Sequence, residues 1–425
     1  MSSIEHSGLS QRGSGNVEKI WPRISSAAAE RENKSDPVID LGTSENWLIR
    51  KELLEIYKSA VAENFSDRHL SYPDGFAGDT ELLKSLARFF NSYFKPHLPV
   101  EVEHIATAPG AAFALDALLY NICEPGDGVL VPGPFWNGFD WLLNVKASVQ
   151  PVLVNVDTFE NVFTTKLIPS LEKAFSESTR PIKGVLFTNP HNPFGRCYPE
   201  SVIKECIRFC NAKSIHFISD ELYALSKLES QDQPAPDPFI SALQLDIQAL
   251  GCDRSRVHTI WSTSKDLGSS GLRMGCCITQ GNRPLVVGLS LASNTQMSSL
   301  TAVATTALLT SPKLPGLIKL NSERLTKAYH HVVSFFERHR IKYMPANMGL
   351  FVFAKLAPNA QSWEDEARVV SLCREAGVSI SSGRGYHVID SENGWARITF
   401  AVDQDSLNEG LRRLETALGF PSELP

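Results

Sequence analysis

Four short apolar runs, Gly128–Val131 (GVLV), Gly184–Phe187 (GVLF), Ile215–Ser219 (IHFIS) and Val257–Trp261 (VHTIW), constrain the fold more than any other feature. None alternates polar with apolar residues, as a strand wet on one face would, so each predicts a strand covered on both faces. The stretches between them, Ala111–Cys123, Glu200–Lys213 and Pro238–Gly251, carry helical patterns. Strands alternating with helices predict an α/β fold on a mostly parallel central sheet with helices on both faces. Near residue 312 the texture changes. Leu317–His339 predicts one long amphipathic helix, Met348–Ala354 a strand, 363–376 a helix, 395–401 a strand, and Asp405–Leu418 a closing helix. That is the α+β pattern of a second, smaller domain. The expected division is a loose Ser-, Gly- and charge-rich arm over 1–35, a large domain over 63–311, and a small domain made of 36–62 and 312–425. The Pro-rich stretch Gln231–Asp237 predicts a surface loop.

At about 150 residues per domain, 425 residues allow two or three domains. Such a chain buries a core without disulfides or a structural metal. Forty-one basic against forty-seven acidic residues, a net charge of −6, give no electrostatic case for a nucleic-acid or anionic membrane partner. The eight cysteines are scattered. Cys206 and Cys210 lie four apart on a predicted helix, without neighbours at zinc-site spacing, so the reading is of reduced, buried thiols and no metal. No apolar stretch reaches the eighteen or so residues of a membrane span; candidates such as Pro284–Ala292 are broken by Pro or Gly. The N-terminus resembles neither a signal peptide nor a transit peptide, so a cytoplasmic location is expected.

The chemistry concentrates where strands end. The frame S-x-S-K-x-x-G-x-x-G-x-R-x-G, Ser262 to Gly275, follows the VHTIW run. A lysine at the C-terminal edge of an open α/β sheet lies where such folds bind ligands, and it can form a Schiff base with an aldehyde cofactor. Arg273 offers a planar fork for a phosphate, and Ser262 a hydroxyl. Asp220 ends the IHFIS run, followed by Tyr223; a buried aspartate there calls for a cation or donor, such as a protonated pyridine nitrogen. A helix N-cap is the plainer reading of Asp220 alone. Thr188–Gly195 (TNPHNPFG) follows the GVLF run and carries Asn192 in a Pro-shaped loop. Upstream, a strand runs into a helix at Gly110, Ala111 and Ala112, whose amides could hold a phosphate. Trp136 follows the GVLV run near the same edge.

These residues resemble the fold-type I pyridoxal-phosphate enzymes of the class I/II aminotransferase family, from about residue 36 to the C-terminus. Within that family the chain is similar to 1-aminocyclopropane-1-carboxylate synthases and their aminotransferase-like relatives. The phrases Ile39–Leu48 (IDLGTSENWL), Pro134–Asp140 (PFWNGFD), Asn347–Phe351 (NMGLF) and Gly394–Ala401 (GWARITFA) carry the likeness. The resemblance implies pyridoxal 5'-phosphate as cofactor, an α-amino acid substrate and a homodimer. It implies that Lys265 bonds the cofactor and Asp220 pairs with the pyridine nitrogen. Asn192 and Tyr223 would contact the ring hydroxyl, and Trp136 would stack on the ring. Ser262, Arg273 and the amides of Gly110, Ala111 and Ala112 would bind the phosphate. Arg397 would pair with the substrate carboxylate, and Glu45 would suit a cationic or amino-bearing substrate side chain.

Two departures bear on the reaction. Ala112 stands where synthases commonly carry a hydroxyl-bearing residue. In Leu70–Leu82, Phe76 falls at the synthase spacing for a tyrosine and Tyr72 nearer the aminotransferase spacing, where it would reach the partner subunit's cofactor. Aminotransferase-type activity in a biosynthetic setting is therefore the leading expectation. Carbon–sulfur lyase or synthase-like elimination is the alternative, and an inactive cofactor-binding regulatory protein the reading from another class.

Overall fold

The computed structural model describes residues 8–32, 37–230, 232, 235–293 and 296–420, the side chains of 22–32 excepted. Its centre is a seven-stranded sheet in the order Ile105–Ala108, Gly275–Ile278, Val257–Ser262, His216–Asp220, Ile182–Thr188, Gly128–Pro132 and Gln150–Val154. Gly275–Ile278 runs antiparallel to both neighbours; the other pairings are parallel. The unbroken apolar runs have a direct cause. Val129, Val131, Leu186, Ile218 and Ile260 face a core shared with helices Ala111–Ile122 and Arg283–Ser293. Leu130, Val185, Phe187 and Phe217 face the opposite core, with helix Glu200–Ala212. Each strand is buried on both faces, so neither face asks for polar residues.

The parallel strands bring their C-terminal ends to one edge. Register sets Thr188 beside Asp220 and Asp220 beside Ile260, while Ser262 pairs with Gly275 and Gly275 with Ala108. The predicted chemistry of four separate segments is thereby gathered along one line.

The C-terminal region has the predicted helices, at Leu314–Arg338, Trp363–Glu375 and Gln404–Ala417. They pack on an antiparallel sheet in the order Ser381–Ser382, Trp395–Thr399, Phe351–Lys355, Tyr343–Met344. Segment 36–62 divides in its packing. Strand Ile39–Asp40 pairs with Val378–Ser379, and Leu41 joins the C-terminal core. Ile49 and Leu53 instead join Trp261 and Leu86 in a core of the large sheet.

Two expectations need correction. The N-terminal stretch is not a loose arm throughout: Gln11–Glu32 is a helix, while residues 1–7 and 33–35 of that stretch lie outside the described residues. Ser10 starts it, its hydroxyl accepting from Gly13 N at 3.2 Å, and Ala27–Ala29 supplies strong helix formers. Pro238–Gly251 is not a helix: it holds the 3-10 turn Ala242–Gln244 and hydrogen-bonded turns over 247–251. The cause is tertiary. Buried Glu221 accepts from Ser241 Oγ at 2.5 Å and Ala242 N at 2.8 Å, and Ser241 Oγ accepts from Leu243 N at 3.1 Å. Side chains thus take the groups a helix would have used. Of the loop Gln231–Asp237, residues 231, 233 and 234 lie outside the described residues.

All eight cysteines are unpaired, and burial pushes the thiols of Cys206 and Cys210 up. Among the described residues no helix is long and apolar enough to cross a membrane.

Candidate active site

Helix Ala111–Ile122 begins at the edge of the sheet with no side chain capping it, so its first N–H groups point outward. Gly110 precedes it at φ 89°, and a Cβ there would stand 2.4 Å from Arg273 Nη2. Only glycine lets the guanidinium reach this helix start. Arg273 itself lies at φ 55°, with Nη1 donating to Ser270 O at 2.7 Å and Nη2 to Pro109 O at 3.2 Å. Behind them Gly275 leaves room for the Gly110–Ala111 backbone, which its own Cβ would meet at 2.3 Å. Ser262 completes the edge, its hydroxyl hydrogen-bonded to Ser264 N at 3.0 Å and Ser264 Oγ at 2.6 Å. Open amides, a fork of N–H donors and hydroxyls converge on a cavity of about 220 Å³ lined by Ala111, Ala112, Ser262, Ser270 and Arg273. It is a ready anion site. Gly110→Ala should lower stability by about 1–3 kcal/mol and weaken anion binding about tenfold, read from a urea melt and phosphate titration.

The floor of this cavity carries a buried acid and a half-buried amine. Asp220 is 7% exposed, and its Oδ1 has no hydrogen-bond partner among the described residues. Burial pushes its pKa up to about 7, against the pull of Lys265, the Leu222 amide and the Thr188 hydroxyl. Burial and the Arg397 guanidinium bring Lys265 down to about 8, while Glu45 and Asp220 draw it upward. Lys265 Nζ donates to the Ser44 carbonyl. Its main chain is fixed from two sides. Asn46 Nδ2 donates to Lys265 O at 3.2 Å and to Asn321 Oδ1 at 2.9 Å. The next residue, Asp266, accepts from Trp261 Nε1 at 3.0 Å, Ser226 Oγ at 2.7 Å and Leu225 N at 3.1 Å.

Trp136, Phe139, Asp220, Leu222 and Lys265 also line a second lobe, of about 410 Å³. Gly138 leaves space for the Trp136 indole, which a Cβ would meet at 2.2 Å. Buried Arg397, from the Trp395–Thr399 strand, faces the second lobe. Its Nη1 donates to Asn192 Oδ1 at 3.0 Å and its Nη2 to Gly42 O. The guanidinium lies 4.7 Å from the Phe351 ring and 5.3 Å from that of Tyr386, and Nε has no partner among the described residues. Tyr223 shares a hydrogen bond with Ser44 Oγ at 3.1 Å, and burial raises its pKa to about 12.

An anion cradle, a lysine–aspartate couple and a buried arginine thus occupy one two-lobed cleft, and residues 36–414 match the family model of aminotransferase class I and II. The chain belongs to that family. A probable aminotransferase, aclI, of Aspergillus oryzae is 56% identical over 412 residues, covering 97% of this chain and 98% of that protein. A 1-aminocyclopropane-1-carboxylate synthase of Oryza sativa subsp. japonica is 31% identical, covering 89% of this chain and 73% of the other. A solved aspartate aminotransferase of Thermus thermophilus superposes with a TM-score of 0.78 at 21% identity, covering 96% and 99% of the two chains, and establishes the fold. This aminotransferase therefore has the α/β fold that its apolar runs and motifs predicted.

The cleft of this family member brings together Gly110, Ala111, Ala112, Trp136, Asn192, Asp220, Tyr223, Ser262, Lys265, Arg273 and Arg397, several of them through contacts the motifs alone do not show. It does not include Tyr72, which is 82% exposed and lies in a surface groove with His69 and Met297. Phe76 is 51% exposed and lines another depression with Thr107 and Ser293. Glu45 stands behind the first lobe rather than on its wall. Its carboxylate accepts from Ser270 Oγ at 2.6 Å, Trp47 Nε1 at 3.0 Å and Arg50 Nη2 at 3.1 Å. Burial works against its charge, but Ser270, Trp47 and Arg50 hold its pKa low. Residues that motif reading missed include Thr188, Tyr386, Asp266 and Asp40. Asp266 had a signal, as the one acid in the Ser262–Gly275 frame, next to the lysine.

Proposed function

We propose that this family member holds pyridoxal 5'-phosphate in the two-lobed cleft and uses it for aminotransferase-type conversion of an α-amino acid. The observation that carries this is the position of Lys265 and Asp220, which line both lobes, between the anion cradle and Arg397. The residues fit the cofactor. The unpartnered, buried Oδ1 of Asp220 suits a protonated ring nitrogen, and the Gly110–Arg273 cradle suits a phosphate. When bound, the cofactor supplies an electron sink for the pair left at a substrate's Cα. Asp220 would keep the proton on the pyridine nitrogen. Asn192 and Tyr223 would face the ring hydroxyl and Trp136 the ring plane. Lys265 would hold the cofactor's aldehyde carbon and, once displaced by the substrate amine, take the Cα proton at Nζ. Arg397 would grip the substrate carboxylate with its planar fork.

The test is spectral and chemical. Purified protein should be yellow, its visible absorbance should change on adding a reactive amino acid, and keto acid beyond one equivalent per site should form only with an amino acceptor. A colourless protein that acquires no absorbance with the cofactor overturns the reading. Arg397→Ala should retain the colour and raise KM about 100-fold, measured by initial rates; an unchanged KM counts against its role.

The synthase relative favours elimination as a second reading, in which the same residues release a β or γ leaving group. Ammonia and thiol release from a thioether amino acid, without an amino acceptor, would establish it. A homodimer fits the exposed Leu54, Leu70, Tyr72, Phe76 and Leu300, with Tyr72 reaching the partner's cleft; sedimentation velocity tests it. Eight unpaired cysteines suit a cytoplasmic location.

A further inference from the structure

The second lobe is built asymmetrically. Its charged lining residues are Lys265, Asp220, Arg397 and Asp40; the first three serve the cofactor and the α-carboxylate. What remains for a substrate side chain is Asp40 with uncharged polar groups, among them Thr43, Asn137, Ser379 and Ser381. No second lysine, arginine or histidine lines this lobe among the described residues.

Asp40 is held in place by its own turn. Oδ1 accepts from Gly42 N at 2.8 Å and Thr43 N at 2.9 Å, and Asp40 pairs in register with Ser379. Oδ2 has no hydrogen bond or ion pair to a described residue. Gly42, two residues on, gives its carbonyl to Arg397. The carboxylate and the guanidinium are therefore tied to one short turn, and both line the same lobe.

We propose that Asp40 determines side-chain specificity, and that the substrate is an α-amino acid whose distal group is an amine or another hydrogen-bond donor, not a carboxylate. This rests on the proposed role of the cleft. A dicarboxylic substrate would find no second cation among this chain's described lining residues and would face a like charge at Asp40, whereas a distal ammonium would find a fixed carboxylate. The carboxylate that meets the side chain is then Asp40, while Glu45 is occupied by Ser270, Trp47 and Arg50.

The test uses holoenzyme whose proposed Lys265–cofactor linkage has been reduced with borohydride, so that no ligand amine can displace it, and ligands that lack an α-amino group, with dissociation constants measured by calorimetry. The ligands are 5-aminopentanoate, pentanoate and glutarate. Binding to wild type should be tightest for 5-aminopentanoate, with glutarate weaker by about 25-fold, from attraction and repulsion each contributing about fivefold at a partly solvated site. Asp40→Asn keeps Oδ1 for the Gly42 and Thr43 amides and removes only the charge, so the turn survives. In that variant the ratio should fall to within about threefold. An unchanged ratio, or glutarate binding wild type as tightly as the amine, overturns the inference while leaving the cleft's role intact. Should Arg397→Ala bind all three as wild type does, or should none bind wild type, the carboxylate site itself is wrong and the inference falls with it.

Discussion

Lys265→Ala is expected to remove at least about 10⁴-fold of the turnover while leaving the protein folded. The size follows from the absence of a substitute. The neighbouring titratable groups in the second lobe are Asp220, Tyr223, Tyr386, Asp40 and Arg397. Tyr223 is pushed up to about 12 and Tyr386 is raised by burial, so neither gives up its proton near neutrality. Asp220 is assigned to the ring nitrogen, Asp40 carries no amine, and Arg397 is assigned to the substrate carboxylate. Lys265 itself, brought down to about 8, has roughly a tenth of its amine free at pH 7, far more than an ordinary lysine. The fold should survive because the main chain at this point is fixed by Asn46 and Asp266, not by the lysine side chain. Removing a half-buried amine also relieves part of a desolvation penalty. The checks are a thermal melt and single-turnover kinetics with an amino acid. Retention of more than about one per cent of the rate would remove Lys265 from the centre of the reaction.

The legible parts of this molecule are those fixed by local chain chemistry. Strands buried on both faces have no polar side to alternate with, so Val129, Leu130 and Val131 read as a strand although they point into different cores. Lys265, Asp220, Asn192 and the Gly110 turn stand out because each lies at or shortly after the end of such a run. Where the outcome depends on distant partners, local pattern misleads. Pro238–Gly251 has a helical pattern, but a buried carboxylate from Glu221 captures its Ser241 and Ala242. The antiparallel strand Gly275–Ile278 escapes the pattern, since its direction is decided by the loop that carries Arg273. Asp40 reaches the cleft only because it pairs with Ser379, far along the chain, and Tyr386 because the C-terminal sheet folds over the same edge. Glu45 lies five residues from Asp40 and carries the same charge. Which of the two faces the substrate is a matter of register, not composition.

Asp220→Asn should separate stability from catalysis. A carboxyl moved from its ordinary 3.8 to about 7 is held by a fold that disfavours its charge, a cost on the order of 4 kcal/mol at neutral pH. The sign follows from linkage. Below about pH 4 the group is protonated in both folded and unfolded chains and contributes nothing. As pH rises toward 7 the unfolded chain ionises first, so the penalty grows, and above the folded value it is constant. The cofactor-free Asn variant should therefore be more stable than wild type at pH 8, with the difference vanishing near pH 4, in urea melts across that range. Activity should move the other way, by about 10²–10⁴-fold, because a neutral amide no longer holds the proton on the ring nitrogen. The holoenzyme supplies the matching control. A cationic nitrogen beside Oδ1 offsets the buried charge, so cofactor should stabilise wild type far more than the variant. An equal cofactor-induced shift in melting temperature for both proteins would place the ring nitrogen away from Asp220.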